Sequence, residues 1–231
     1  MATRPIFIPL EKGQIGVKEK MIEFTWAAGM AISQKQKSIR DLHSVAEKLG
    51  HKALLEISSK SESALGVKLS AFNLMFTTKK LGDTYSVESA FQGSKVFENG
   101  GPYTDIMKLD SLSAKKDPRL QNSGNLIGFN FLGKDFPTEP RTFFYDWLYI
   151  NALNQNIELA NELSSYSGFT DIEFNPKKSI NCQGFAAALY VSLKRSNQLD
   201  AALSSINTFF KLTHAQYLNQ LRATPIQQKM L

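Results

Sequence analysis

VESAFQGSKVF, residues 87–97, places a glutamate, a glutamine and a lysine at spacings that decide how the middle of the chain is read. On one helix, at about 100° per residue, Glu88, Gln92 and Lys95 fall within roughly 60° of one another. Ala90 and Phe97 lie on the opposite side, and Phe91 and Val96 border the polar stripe. The run therefore reads as a helix with one polar face. That face turns either to solvent or into a site, where a carboxylate and an ammonium about two turns apart can share a ligand. Burying either charge is costly unless it is paired, so a buried stripe implies a purpose.

Elements follow on both sides of this run. RPIFIPL (4–10), with prolines at both ends, reads as an edge strand, and MIEFTW (21–26) as a second strand. Ser33 reads as the cap of a helix with Ile39, Leu42, Ala46 and Leu49 on its apolar side and Gly50 at its end. ALLEISS (53–59) and VKLSAFNLMFTT (67–78) read as core strands. Beyond the 84–97 helix come a loop at 98–103, a short helix stopping before Pro118, and a Gly- and Asn-rich stretch at 122–140 that is a long loop or a small hairpin. RTFFYDWLYINALNQNIELANELSSY (141–166) is helical, with a break near Asn154, and GFTDIEFNPKK (168–178) is extended. NCQGFAAALYVSLKR (181–195) is apolar nearly all round and reads as a buried helix. A final amphipathic helix over 199–223 is expected to break near Leu212. The sum is one α+β domain over residues 1–231, mostly helical with a small sheet.

Composition removes several function classes. Of 231 residues, 42% are hydrophobic and 21% charged, as in an ordinary globular protein. No apolar run approaches the roughly 18 residues that span a bilayer. The start, MATRPIFIPLEKG, has no signal-peptide pattern, so a cytoplasmic protein without a membrane partner is expected. Cys182 is the single cysteine, and His43, His51 and His214 stand alone, so no metal is expected. Phosphate-loop, dinucleotide and nucleophile-elbow motifs are absent.

Charge is more informative by position than by size. The net charge is +6. From Pro176 onward, Lys177, Lys178, Lys194, Arg195, Lys211, Arg222 and Lys229 face only Asp200, so the last quarter carries the whole excess. That suits a polyanion such as nucleic acid, or equally a solvated basic face. In NPKKSINCQ (175–183), two lysines precede a helix start near Ser179 or Asn181, where cations oppose the helix dipole and a bound phosphate would reconcile them. Trp147, beside Asp146 in an aromatic-rich helix, is either core or a stacking surface for a base.

Taken in order, these segments resemble the NADAR family. Ser70-Ala71-Phe72 matches its Ser-x-Phe element, and Glu88, Phe91, Gln92 and Lys95 match its Glu-x-x-Phe-Gln-x-x-Lys element. Trp147 matches its Trp-bearing helix, and Asn181 with Gly184 its late Asn-x-x-Gly helix. The likeness runs from about residue 54 to 195, with N-terminal strands and helix (1–53) and a C-terminal helix (199–223) outside that core. The wording looks most like the NADAR antitoxins paired with DarT-type ADP-ribosyltransferase toxins. Ala71 stands where the family usually has Asn, and EFNPKK (173–178) replaces its Trp-Gly turn.

The resemblance implies a hydrolase that cleaves the N-glycosidic bond between ADP-ribose and guanine in DNA, without a cofactor. RNA is the alternative substrate, and a cognate DarT-type toxin the implied partner. It implies that Glu88 stabilises oxocarbenium character or activates water, and that Lys95 attacks the anomeric carbon, with Lys60 as the alternative nucleophile. Trp147 or Phe72 would stack on a base. Lys178, Ser179 and Asn181 would receive the pyrophosphate. Ser70, Asn73, Gln92 and Asp171 would complete the ADP-ribose contacts. Two other readings stay open: an N-glycosidase acting on phosphoribosylated pyrimidine intermediates, and a non-catalytic antitoxin that binds the toxin or the mark.

Overall fold

In the computed structural model, which describes residues 1–79, 82–176 and 179–218, two strands open the chain. β1 (Ala2–Pro9) runs antiparallel to β2 (Val17–Phe24), in register from Ala2 opposite Phe24 to Pro9 opposite Val17. Helix α1 (Ile32–Lys48) follows, then strand β3 (Leu54–Glu56). Far along the chain, β9 (Gly168–Thr170) inserts between β1 and β3, giving the order β2-β1-β9-β3. The β3–β9 pair is parallel and the others are antiparallel.

The sheet's edges are therefore β2 and β3, not the proline-flanked β1. Only Phe7 of β1 pairs with β9, so Pro5 and Pro9 have a ladder neighbour on one side alone and cost no hydrogen bond on the other. β2 also starts earlier than the 21–26 reading. Its first half holds Lys18, Glu19 and Lys20, which suit an edge facing water. Ala31, not Ser33, precedes the first turn of α1. Ile39, Leu42 and Ala46 bury against Ile6, Ile22 and Phe24 of the sheet, whereas Leu49 is exposed. The helix ends as its glycine suggests. Gly50 takes φ +89°, and the His51 and Gly50 amides donate to Ala46 O and Glu47 O, closing a Schellman motif.

VKLSAFNLMFTT is not a continuous strand. Helix α2 (Ala64–Lys68) gives way to a turn over 70–73 and then to β4 (Met75–Thr77), which pairs with β5 (Thr84–Ser86). The 84–97 segment is likewise divided. Helix α3 (Val87–Gly93) occupies only its middle, and β6 (Lys95–Phe97) follows. β6 joins β7 (Leu126–Phe131) and β8 (Lys134–Phe136) in a second sheet, order β6-β7-β8. The β7–β8 pair is the small hairpin of the Gly-rich stretch.

Between β6 and β7 lie a 3-10 turn (Thr104–Lys108), α4 (Ser111–Lys115) and α5 (Arg119–Asn122). Helices α6 (Phe143–Gln155) and α7 (Ile157–Glu162) meet at Asn156. α8 (Gln183–Arg195) is buried along nearly its whole length. α9 (Leu199–Ser204) and α10 (Ile206–Leu218) part at Ser205, not near Leu212, and residues 219–223 lie outside the described chain. The larger core joins α3, α6 and α8 through Phe91, Phe144, Tyr149 and Phe185, all but closed to solvent. Elements this short stay folded by packing rather than by propensity.

Close approach of α2 to β3 depends on Gly66. A Cβ there would lie 2.0 Å from the Glu56 carbonyl and 2.4 Å from Ser61 Oγ. Gly66→Ala is expected to overpack this contact at a cost of about 1–3 kcal/mol, lowering Tm by at least about 3 °C in differential scanning calorimetry. Gly128→Ala, whose Cβ would meet nothing nearer than 3.4 Å, is the control and should leave Tm unchanged or higher.

Candidate functional site

Because β3 and β9 are parallel, both release the chain at the same end of the sheet, and both exits line one cleft. Open α/β sheets place ligands at carboxyl ends of strands for the same reason. The cleft has a volume of about 400 Å³. Ser58–Lys60 follow β3 and Asp171–Phe174 follow β9. Ser70–Phe72, α3 with Lys95, Lys115 of α4, Tyr145 of α6 and the 179–183 approach to α8 complete the wall.

The question raised by the 87–97 stripe is answered by α3. All seven of its residues are buried, so no face of it is solvated. Ser86 Oγ accepts from the Ser89 amide and caps it. Ser111 Oγ lies 2.8 Å from both Phe72 O and Ser86 Oγ, pinning α4 to the 70–73 turn and to the α3 cap at once. Glu88 and Gln92 are each only 7% exposed. Gln92 Nε2 donates to Glu88 Oε1 at 3.0 Å, the i,i+4 neighbour that the spacing gives. Lys115 Nζ stands 3.7 Å from the same Glu88 oxygen and 5.2 Å above the Phe72 ring.

Lys95 reaches the cleft from β6 rather than from the helix. The residue as a whole is half-buried, and its ammonium lies 5.1 Å from the Phe91 ring centre. Burial pulls its pKa down to about 8; the Glu88 charge resists this and Lys115 adds to it. Asp171 is pushed the other way, up to about 7, by burial first and by Glu56 second. The Glu173 and Phe174 amides donate to its Oδ1 at 3.1 and 3.2 Å, and Cys182 Sγ lies 3.7 Å from its Oδ2. Gln183 Oε1 accepts from the Ala71 amide at 2.7 Å, tying the start of α8 to the 70–73 turn.

The cleft gathers Lys60, Ser70, Phe72, Glu88, Gln92, Lys95, Asp171, Ser179 and Asn181 from the sequence reading. It does not take Asn73, which is exposed and donates to Val67 O at 2.9 Å. Nor does it take Trp147, whose ring packs on Phe131 and Phe136 with centres 6.2 and 5.0 Å away. Lys177 and Lys178 lie outside the described residues. α8 itself begins at Gln183, so Ser179 and Asn181 sit in the approach to the helix and not on it.

The described basic residues of the last quarter, Lys194, Arg195 and Lys211, do not border the cleft. Lys194 and Arg195 are at the far end of a 13-residue helix, about 20 Å from its start, where they suit its dipole. They bond Asn161 Oδ1 and Tyr166 O. Arg222 and Lys229 lie outside the described residues. Among the described residues, no group of three or more His, Cys, Asp or Glu is arranged to hold a metal ion, and no helix is long and apolar enough to cross a membrane.

Three groups escaped the sequence reading. Tyr145, buried against Phe91, has its hydroxyl held well above its usual pKa by burial and then by Glu88, so it faces the cleft as a neutral donor. It sits two residues before Trp147, about 200° around the helix, so only one of the two can point inward. Lys115 carried no local signal. Trp26 was overlooked as well; Lys35 lies 4.7 Å from its ring centre and pairs at 3.3 Å with Glu173 on the cleft wall.

One protein-family profile, described as DarT1-associated NADAR antitoxin, matches residues 2–223. A comparison with curated proteins finds no match.

The electrostatics are open to direct titration. After reductive ¹³C-methylation, the Lys95 resonance is expected to titrate near pH 8, ahead of exposed lysines near 10.4. Glu88→Gln should move that midpoint down and Lys115→Ala should move it up. Asp171 retains its proton to about pH 7 in the folded chain but only to about 3.9 when unfolded. Its contribution to stability is therefore full below pH 4 and lost as pH rises to 7. Urea midpoints measured across that window should fall less steeply in Asp171→Asn.

Proposed function

This chain belongs to the DarT1-associated NADAR antitoxin family, and from that premise we propose that it is a cytoplasmic hydrolase removing ADP-ribose from guanine bases in DNA, so reversing the mark of a DarT-type toxin. The observation that carries this reading is the joint placement of Glu88 and Lys95, a carboxylate and a low-pKa amine, in one walled cleft. An amine of pKa about 8 is neutral in roughly a quarter of molecules at pH 7.5, against about one in a thousand for an ordinary lysine.

In this reading Lys95 Nζ attacks the anomeric carbon of the ribose that carries the guanine. The carbon–nitrogen bond to guanine breaks, and the departing base takes a proton. The resulting glycosylamine opens to an imine. Water adds to the imine, frees ADP-ribose and restores the amine. Glu88 stabilises positive charge at the anomeric carbon and accepts the proton from the attacking group. Lys60, on the same cleft wall, is the alternative nucleophile. Lys60 and Lys115 supply cations for the pyrophosphate, and Phe72 a ring for a purine. A walled cleft also requires the modified base to be single-stranded or flipped out.

Release of ADP-ribose from a guanine-modified oligonucleotide tests this. Glu88→Gln is expected to lose at least about 100-fold in rate. Borohydride reduction during turnover should trap the substrate on Lys95, located by peptide mapping, and Lys95→Ala should abolish the adduct. An adduct on Lys60 would move the nucleophile there. Wild-type protein that protects cells while leaving the mark on DNA would overturn the hydrolase reading in favour of a binding antitoxin.

A further inference from the structure

Two residues that line the cleft carry amide oxygens that are sheltered from solvent and have no hydrogen-bond partner among the described residues: Gln92 Oε1 and Asn181 Oδ1. Buried acceptors are rarely left in that condition, because each forfeits its hydration for nothing. The orientation of Gln92 is not arbitrary. Its Nε2 is committed to Glu88 Oε1 at 3.0 Å, and a flipped amide would set oxygen against carboxylate. Glu88 thus compels Gln92 to present an acceptor elsewhere, although the residue is only 7% exposed. The walls that hold these oxygens also carry Glu88 and Asp171, so the interior is rich in acceptors while Lys60 and Lys115 bring positive charge.

A ligand group that bonds either oxygen must donate. Phosphate oxygens at neutral pH only accept, so they are repelled there and drawn to the lysines. We propose that Gln92 Oε1 and Asn181 Oδ1 together accept hydrogen bonds from the vicinal hydroxyls of a ribose, making the cleft selective for ribose over 2-deoxyribose. This deepens the hydrolase reading and rests on it for the identity of the sugar, the ribose attached to guanine. Gln92 adjoins Glu88, so its oxygen suits the hydroxyl next to the anomeric carbon, the 2″-hydroxyl, whose hydrogen bond strengthens as glycosidic bonds break. It also moves Asn181 from the pyrophosphate, where the sequence reading put it, to the sugar.

The test compares ADP-ribose with 2″-deoxy-ADP-ribose by calorimetry on the wild-type protein, with release of ADP-ribose from the modified oligonucleotide assayed alongside. ADP-ribose is expected to bind at least about tenfold more tightly, because a site built to bond a hydroxyl is left unpaired by its absence. Gln92→Met, which keeps shape, and Asn181→Leu should each bring the ratio toward one. Equal binding of the two ligands by wild type overturns the proposal, as does a ratio unmoved in both variants. If wild type discriminates but releases no ADP-ribose from DNA, the sugar site stands and the hydrolase reading falls; if it releases ADP-ribose without discriminating, the reverse holds. The wild-type arm needs no variant to fold.

Discussion

The cleft hangs from a buried carboxylate. Glu56, at the end of β3, is 3% exposed and accepts from the Thr170 hydroxyl at 2.6 Å and the Ile172 amide at 2.9 Å. Those groups lie 114 and 116 residues further along the chain. His43 Nε2, from α1, stands 2.8 Å from the same hydroxyl. A carboxylate taken out of water in this way is tolerable only while its oxygens are bonded. Glu56 therefore binds the ends of β3 and β9 to each other, and the two exits that follow become opposite walls of one cavity. Its own proton affinity is raised by that burial, and its charge in turn helps to hold Asp171 protonated.

Inside the cavity, charges are balanced rather than neutralised. Glu88 meets one amide and one lysine; Lys95 meets an aromatic ring and a distant carboxylate. Among the described residues, Glu88 has an ion-pair partner in Lys115 at 3.7 Å, and Lys95 has none within 4.0 Å. Burial of the amine, only partly offset by the Glu88 charge, leaves Lys95 partly deprotonated near neutral pH. Rigidity comes from the neutral network around them: the Ser86, Ser89 and Ser111 hydroxyls and the Gln183 clasp on Ala71.

How much of this was legible varies from element to element, for physical reasons. α1 announces itself by its apolar spacing, α8 by being apolar nearly all round, and Gly50 by its required left-handed backbone. Glu88 and Gln92 were placed by helical spacing alone. Lys95 was assigned to the same helix because nothing local says that α3 stops at Gly93. The stop is made by tertiary contact: Asn130 N donates to Ser94 O, β6 pairs with β7, and Met107 packs where a Cβ on Gly93 would be. That Lys95 still enters the cleft owes more to the sheet than to periodicity. VKLSAFNLMFTT misled because its apolar alternation fits a strand, while its first two residues, Val67 and Lys68, end the helix in which Gly66 packs closely on β3. Choosing between Tyr145 and Trp147 needed the rotation of α6, which an aromatic run on nearly every face does not reveal.

The parallel pairing of β3 with β9 also sets when the protein can first work. During synthesis, β3 emerges early but waits for a neighbour more than a hundred residues downstream. No cavity wall can close until that neighbour and the approach to α8 have left the ribosome. Contacts of such long range are slow to form because the loop must close before they reward it. A cell relying on this chain for protection would thus face an interval between translation and competence, one that a partly made or clipped copy never crosses.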